Sequence, residues 1–454
     1  MKRILAAVAL ALYLLTAGAA ALAQASGPNG LHANGMKLFS ADPATVSGAL
    51  DWFSERGDPD AAAAIILAMR FSLLGPQLYD AALRDITAEP DLSGWPDWAK
   101  WLERNPQIVP FDGFQRIHAD VHTRLDPNFQ VFLRPGIAHE IRIEEIVWGG
   151  VKKDGIPALT YPALIPADDA DYLGDGDFVF GVEINGDARA YPLRILNWHE
   201  MFNDIIGGIP VSLAYCTLCG SGILYETSID GFPEPLIFGS SGFLFRSNKL
   251  MYDTYTNSLW NQFTGRPVVG PLTGSGIELK TRPVVVSTWE SWRQAHPDTQ
   301  VLDLNTGYAR DYDEGASYAD YFASPDLMFP TNVDQSKLKQ KDLVFVLRGA
   351  PTEMSWPLSR FAGGAVINDR AGVMQIVLVG DAATRTVRAY ETGGQPFVKS
   401  GDPARIMLDG ATWDVTEDAL LGPGGERLER LPGHIAYWFA WDGYYGDEGE
   451  LALN

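Results

Sequence analysis

The chain contains two cysteines, Cys216 and Cys219, separated by only two residues. Two thiolates at this C-x-x-C spacing can reach one point, and a nearby imidazole can complete a three-coordinate site for a soft metal ion. His199 precedes Cys216 at a distance that a turn and a returning strand can close. The residue types therefore predict a metal site of Cys216, Cys219 and His199, used for metal handling or metal-dependent oxidation. Copper is favoured over zinc because most Cys and His sites bind copper more tightly.

The same residues allow two other functions. In a periplasmic thiol–disulfide oxidoreductase, Cys216 or Cys219 would be the nucleophile and His199 its base. The motif is followed by a strand-like run rather than a helix, so the pattern lacks the helix dipole that often activates such a cysteine. In a non-enzymatic binding or scaffold protein, the cysteines would form a structural disulfide. The sequence leaves open whether the protein is an enzyme, and it indicates neither a catalytic residue nor an organic cofactor.

The N-terminus has the pattern of a secretory signal peptide. Lys2 and Arg3 precede an apolar run from Ile4 to Leu15, and Ala21-Leu22-Ala23 matches an A-x-A cleavage site. We therefore predict a signal peptide over residues 1–23, cleavage after about Ala23, and a periplasmic or secreted protein. No later apolar run is long enough for a transmembrane helix, so we expect no membrane span in the mature chain.

The charge balance limits the partners. The sequence has 35 Lys and Arg against 57 Asp and Glu, for a formal net charge of −22. A surface this acidic repels phosphate backbones, so no nucleic-acid partner is expected. The predicted partners are a metal ion and a periplasmic protein.

Local patterns predict a fold of the α+β class that is predominantly β. Residues 24–110 form a small helical N-terminal region, in which Val46, Leu50 and Phe53 recur at helical spacing. Beyond about residue 110, short β-prone runs alternate with turn residues, and Asn185-Gly186 is a strong hairpin signal. Two related β-rich units are predicted to follow the helical region.

An internal repeat supports these two units, which we place at residues 140–305 and 330–445. A shift of 165 residues aligns the two segments without gaps over a long stretch, and smaller shifts continue the match towards the end. Identity at many positions on one shift predicts two copies of one supersecondary unit. The identical residues include Val179-Phe180 with Val344-Phe345, Pro192-Leu193 with Pro357-Leu358, Asn203-Asp204 with Asn368-Asp369, and Tyr225-Glu226-Thr227 with Tyr390-Glu391-Thr392.

The repeat also separates residues kept for the fold from residues special to one copy. On the same shift, His199 falls on Gly364, Cys216 on Asp381 and Cys219 on Thr384. The second copy is therefore expected to be a degenerate structural partner that lacks the Cys and His site.

From about residue 140 to its end, the chain resembles the DUF3179 domain proteins, a bacterial family of unknown function. The resemblance implies an exported or surface-associated protein, and the family pattern includes the His and the C-x-x-C pair. It implies no established reaction. The matching segments are Glu145 to Ala158, Ala190 to Glu200, the loop from Cys216 to Cys219, and Leu250-Met251-Tyr252-Asp253 with Ser258-Leu259-Trp260.

Overall fold

The structure is a computed structural model that describes residues 28–72, 74–446 and 448–453. The chain forms two compact units. One is helical and runs to Ile137, with Arg142–Glu145 added, and the other comprises Ala138–Ile141 and everything from Ile146 onward. The predicted signal peptide lies outside the described residues. Over the described ranges, no helix is both long and apolar enough to cross a bilayer.

The helical unit contains helices whose ends follow local sequence rules. Asp42 caps α2 by accepting hydrogen bonds from the backbone N–H groups of Ala44 and Thr45, and Gly57 ends that helix in the left-handed conformation. Inside the unit, the buried carboxylate of Asp80 accepts a hydrogen bond from the Trp98 indole. The helices are α1 (Pro28–Lys37), α2 (Pro43–Arg56), α3 (Ala62–Phe71), α4 (Gln77–Thr87), α5 (Gly94–Arg104) and α6 (Phe114–Leu125).

The second unit is built mainly from short strands. The strands are β1 (Ile146–Trp148), β2 (Leu159–Thr160), β3 (Leu164–Pro166), β4 (Phe178–Ile184), β5 (Asp187–Pro192), β6 (Met201–Ile206), β7 (Ile209–Cys216), β8 (Ser221–Glu226), β9 (Phe238–Phe245), β10 (Asn248–Asp253), β11 (Leu259–Asn261), β12 (Arg266–Val269), β13 (Thr281–Arg282), β14 (Val285–Thr288), β15 (Gln300–Leu302), β16 (Leu343–Leu347), β17 (Met354–Pro357), β18 (Ala365–Ala371), β19 (Met374–Asp381), β20 (Thr386–Glu391), β21 (Val398–Lys399), β22 (Arg405–Leu408), β23 (Ala411–Val415), β24 (Ala419–Leu421), β25 (Arg427–Leu431), β26 (Gly433–Tyr437) and β27 (Glu450–Leu451). Its helices are α7 (Leu193–His199), α8 (Trp289–Ala295), α9 (Ala319–Ala323) and α10 (Trp438–Tyr445).

These strands form several sheets, and the predicted fold class is confirmed: a helical N-terminal region precedes a mostly β chain. The strand orders are β1-β9-β10-β11-β12 in sheet I, β13-β8-β7-β6-β2 in sheet II, β14-β4-β5-β15-β3 in sheet III, β26-β16-β17-β27 in sheet IV, and β18-β19-β20-β25-β24-β23-β22-β21 in sheet V. The Cys216 to Cys219 loop joins β7 to β8 in sheet II.

Corresponding strands of the two sequence copies hold corresponding places. In sheet III, β4 pairs with β14 and β5, and Val286 lies opposite Phe180. In sheet IV, β16 pairs with β26 and β17, and Ile435 lies opposite Phe345. Both sheets then continue with a parallel partner, β15 beside β5 and β27 beside β17. The domain bounds and the duplication itself stay predictions.

A shared asparagine performs the same task in each copy. Asn203 donates to the Phe238 carbonyl and accepts from the Phe238 N–H, each at 2.9 Å. Asn368 makes the same two bonds to Phe397, at 2.7 and 2.9 Å. These asparagines satisfy backbone groups of a neighbouring segment, so they serve the fold.

We expect Asn203→Ala to lower the free energy of unfolding by about 3 kcal/mol and Asn368→Ala by about 1 kcal/mol. Asn203 is 1% exposed, so its removal leaves buried backbone groups unpaired, whereas water can replace the exposed Asn368. Urea unfolding of the two variants measures both losses. Equal losses would contradict the role assigned to burial.

Candidate functional site

The two cysteines lie at the tip of a buried hairpin. Strands β7 and β8 pair up to Cys216 and Ser221, and the turn between them is closed by a 3.1 Å hydrogen bond from the Cys219 N–H to the Cys216 carbonyl. The sulfur atoms of Cys216 and Cys219 form a disulfide. Cys216 is 3% exposed and Cys219 0%, so both sulfurs lie beneath other residues.

Two other segments hold the loop from the side of Cys219. The Tyr437 N–H, at the end of β26, donates to the Cys219 carbonyl at 2.8 Å. Gly220 follows with φ +60°, and a side chain there would come within 3.1 Å of the Tyr437 ring. The Cys219 sulfur lies 3.5 Å from the carbonyl oxygen of Ser247, in the turn between β9 and β10. The second sequence copy therefore contributes directly to the loop's surroundings through Tyr437.

A buried ion pair adjoins the loop. The Glu200 carboxylate and the Lys249 ammonium are 2.6 Å apart, with side chains 10% and 4% exposed. The other carboxylate oxygen accepts a 3.0 Å hydrogen bond from the hydroxyl of Thr217, the residue after Cys216. The Tyr318 side chain lies beside this pair; its burial and then the Glu200 charge raise its pKa to about 12. Charges this deep in a protein require such partners to offset their desolvation.

His199 ends helix α7, and both of its ring nitrogens have partners. Nδ1 lies 2.8 Å from the Pro157 carbonyl, so it carries the proton, and Nε2 accepts from the Tyr312 hydroxyl at 2.6 Å. Burial lowers the pKa of His199, which favours the neutral ring. In this arrangement the imidazole is directed at Pro157 and Tyr312.

The structure joins Cys216 and Cys219 but places no metal site around them. In the part of the chain that it describes, no group of three or more His, Cys, Asp or Glu side chains could hold a metal ion. The roles predicted for His199, as a ligand or as a base, stay predictions, as does the choice of copper over zinc.

The segment between strands β15 and β16, residues 303–342, covers the site. We call it the linker segment. The Tyr321 hydroxyl donates to the Leu218 carbonyl inside the cysteine loop at 2.7 Å, and Ser247 donates to the Phe329 carbonyl at 3.2 Å. Lys341 lies 3.6 Å from the centre of the Tyr321 ring. Together with Tyr312 and Tyr318, these contacts lay the linker segment over His199 and the disulfide.

Sequence reasoning missed Glu200, Lys249 and the tyrosines of the linker segment. The shift of 165 residues carried a signal for Glu200, which falls on Ala365, as Thr217 falls on Ala382. Lys249 lies 49 residues from Glu200, and no local pattern connects the two. The linker tyrosines are equally remote, so only the folded chain brings them to the cysteines.

The fold and the site define a β-rich protein with a C-x-x-C disulfide at a buried hairpin tip. The family model of DUF3179, a protein of unknown function, matches residues 153–448, and the chain belongs to this family. The match takes in the cysteine loop, Glu200, Lys249 and the linker segment. Comparison with curated proteins and with solved structures gives no match.

Replacing Tyr321 with Phe should speed reduction of the disulfide by dithiothreitol about fivefold. The change removes one hydrogen bond that holds the linker segment on the loop, worth about 1 kcal/mol. Thiol release with time gives the rate. Tyr255→Phe is the control, because the Tyr255 side chain is 65% exposed and its ring packs against Phe232. Identical rates in the Tyr321 variant and the control would show that this bond does not limit access.

Proposed function

We propose that Cys216 and Cys219 form a redox-active dithiol–disulfide centre and that the protein is a thiol–disulfide oxidoreductase. One observation carries the proposal: the disulfide closes a turn that the rest of the structure already holds. The loop is fixed by strand pairing, by its own hydrogen bond and by Tyr437 and Tyr321.

A disulfide across so short a loop adds little stability. The loop-entropy model gives about 2 kcal/mol for a ring of four residues, less than a long-range disulfide would give. Hydrogen bonds already restrict the same residues, so a purely structural role would gain little. Exchange chemistry gives a stronger reason to place two cysteines here.

The proposed reaction transfers two electrons from a substrate dithiol to the protein disulfide. A substrate thiolate attacks one sulfur, the Cys216–Cys219 bond breaks, and a mixed disulfide forms while the other cysteine leaves as a thiolate. The second substrate thiolate then attacks the substrate sulfur of the mixed disulfide. This breaks the bond between the substrate sulfur and the protein sulfur, so the substrate leaves as a disulfide. Cys216 and Cys219 remain in the protein as thiols, which take up the two protons that the substrate thiols gave up. The reverse sequence reduces a substrate disulfide.

Cys216 is the better point of attack. It retains 3% exposure whereas Cys219 has none, and the Cys219 sulfur faces the Ser247 carbonyl oxygen. An incoming thiolate would be repelled by that oxygen. Since the linker segment covers the loop, a substrate reaches Cys216 only when this segment moves aside.

Metal binding through Cys216, Cys219 and His199 stays a separate prediction. Only the reduced pair could bind copper or zinc, because a disulfide has no thiolate to offer. Elemental analysis of protein isolated from its native compartment tests this prediction together with the redox proposal.

In the exchange test, the oxidised protein should contain no free thiol, release two thiols per chain on reduction and oxidise a fluorescent dithiol peptide. Cys216→Ser and Cys219→Ser should each abolish turnover, because the exchange needs both sulfurs. Ser221→Ala, at the other end of the loop, is the control and should retain activity.

The measurements also separate the alternatives. If the wild-type protein is reduced only on unfolding, and the double serine variant loses stability alone, the disulfide is structural and the redox proposal fails. A different result would favour the predicted metal site instead. In that case the wild-type protein contains about one copper or zinc per chain, the double variant contains none, and neither protein exchanges disulfides.

A further inference from the structure

The residue that directly follows helix α7 and caps its C-terminal end is unusual for its position. Glu200 has φ +56°, in the left-handed region where glycine is the ordinary choice. A residue with a side chain costs about 1 kcal/mol or more in this conformation. The backbone is held there by bonds from the Glu200 N–H to the Leu196 carbonyl and from the Tyr215 N–H to the Glu200 carbonyl, each at 2.7 Å. A glycine would make the same bonds without strain, so the carboxylate is the reason for a glutamate.

The ion pair is attached to the disulfide loop on both sides. Glu200 contacts the loop through the Thr217 hydroxyl, next to Cys216. Lys249 follows the β9–β10 turn, whose Ser247 carbonyl lies against the Cys219 sulfur. Glu200 is therefore one hydrogen bond from the residue that follows Cys216. Lys249 is two residues from the carbonyl that contacts the Cys219 sulfur.

The pair belongs to the copy that has the cysteines. In the second copy, Ala365 and Ala382 stand where Glu200 and Thr217 stand in the first, and the cysteines are replaced as well. The shared residues, such as Asn203, keep their fold contacts in both copies. The carboxylate and the hydroxyl that donates to it are both absent where the disulfide is absent.

We infer that Glu200 and Lys249 are positioning residues that set how readily the Cys216–Cys219 disulfide is reduced. This inference rests on the proposed function. Strand β8 follows the loop where a redox protein would usually have a helix N-terminus, and Lys249 supplies the positive charge instead. Reduction creates thiol groups that carry partial negative charge, which Lys249 stabilises and Glu200 opposes. Together, the two opposite charges hold the reduction potential of the disulfide at an intermediate value.

The two residues should therefore have opposite effects. Glu200→Gln leaves the Lys249 cation uncompensated, so the equilibrium constant for reduction by glutathione should rise about tenfold, equivalent to about 30 mV. Lys249→Met removes the cation, so the constant should fall by a similar factor. Lys249→Arg keeps the charge and should restore a value near that of the wild type.

The test is the reduction potential of the full chain at fixed pH, measured by thiol content in glutathione buffers. Arg189→Met is the matched control, because it breaks another largely buried ion pair, Arg189–Asp204, in the same unit. It should lower stability without moving the potential. If a single variant fails to fold, the double variant Glu200→Gln/Lys249→Met is measured as well. It removes both charges and should have a reduction potential close to that of the wild type. Lys249→Arg, which keeps the positive charge, is measured beside it.

A rise in the constant with Glu200→Gln and a fall with Lys249→Met, or one of these two shifts returned to near the wild-type value in the double variant, support the inference when the control is unmoved. Shifts of the same sign, no shift, or a double variant displaced as far as a single variant overturn it while leaving the redox proposal intact, provided the wild-type disulfide cycles. A wild-type disulfide that cannot be reduced in the folded protein instead defeats the proposed function.

Discussion

Two opposite charges, on Glu200 and Lys249, are held 2.6 Å apart with little access to water, and the surroundings of the C-x-x-C loop follow from that constraint. Buried charges offset their desolvation only with good geometry and further hydrogen bonds. The chain meets this need by bringing together the end of helix α7, the start of strand β10, the cysteine loop and Tyr318 of the linker segment. The same elements bury the disulfide.

The second sequence copy and the linker segment complete the site although they lack its reactive residues. Tyr437 of β26 binds the Cys219 backbone, and Tyr321 of the linker segment binds the Leu218 carbonyl. The segment predicted to be the second copy therefore has a structural part here, because the hairpin tip would otherwise expose backbone groups. The family match extends over both of these segments.

Much of the fold was readable from local sequence because its signals are local. The helical spacing of Val46, Leu50 and Phe53, the Asn185-Gly186 turn and the short β-prone runs act within a few residues, so they predict the α+β class. The predicted repeat aligned strands whose pairings correspond in the structure, as with Val286 opposite Phe180 and Ile435 opposite Phe345, while the duplication itself stays a prediction. The sheet order was not predictable, since it depends on contacts between distant segments.

The sequence by itself determined the two cysteines, the C-x-x-C spacing that lets their sulfurs meet, and the absence of cysteine from the segment predicted to be the second copy. Only the tertiary structure decided their neighbours. It directed His199 at Pro157 and Tyr312, and it brought Lys249 to Glu200. The physical reason is that covalent spacing fixes what residues three apart can reach, whereas a buried charge finds its partner through the packing of strands far apart in the chain.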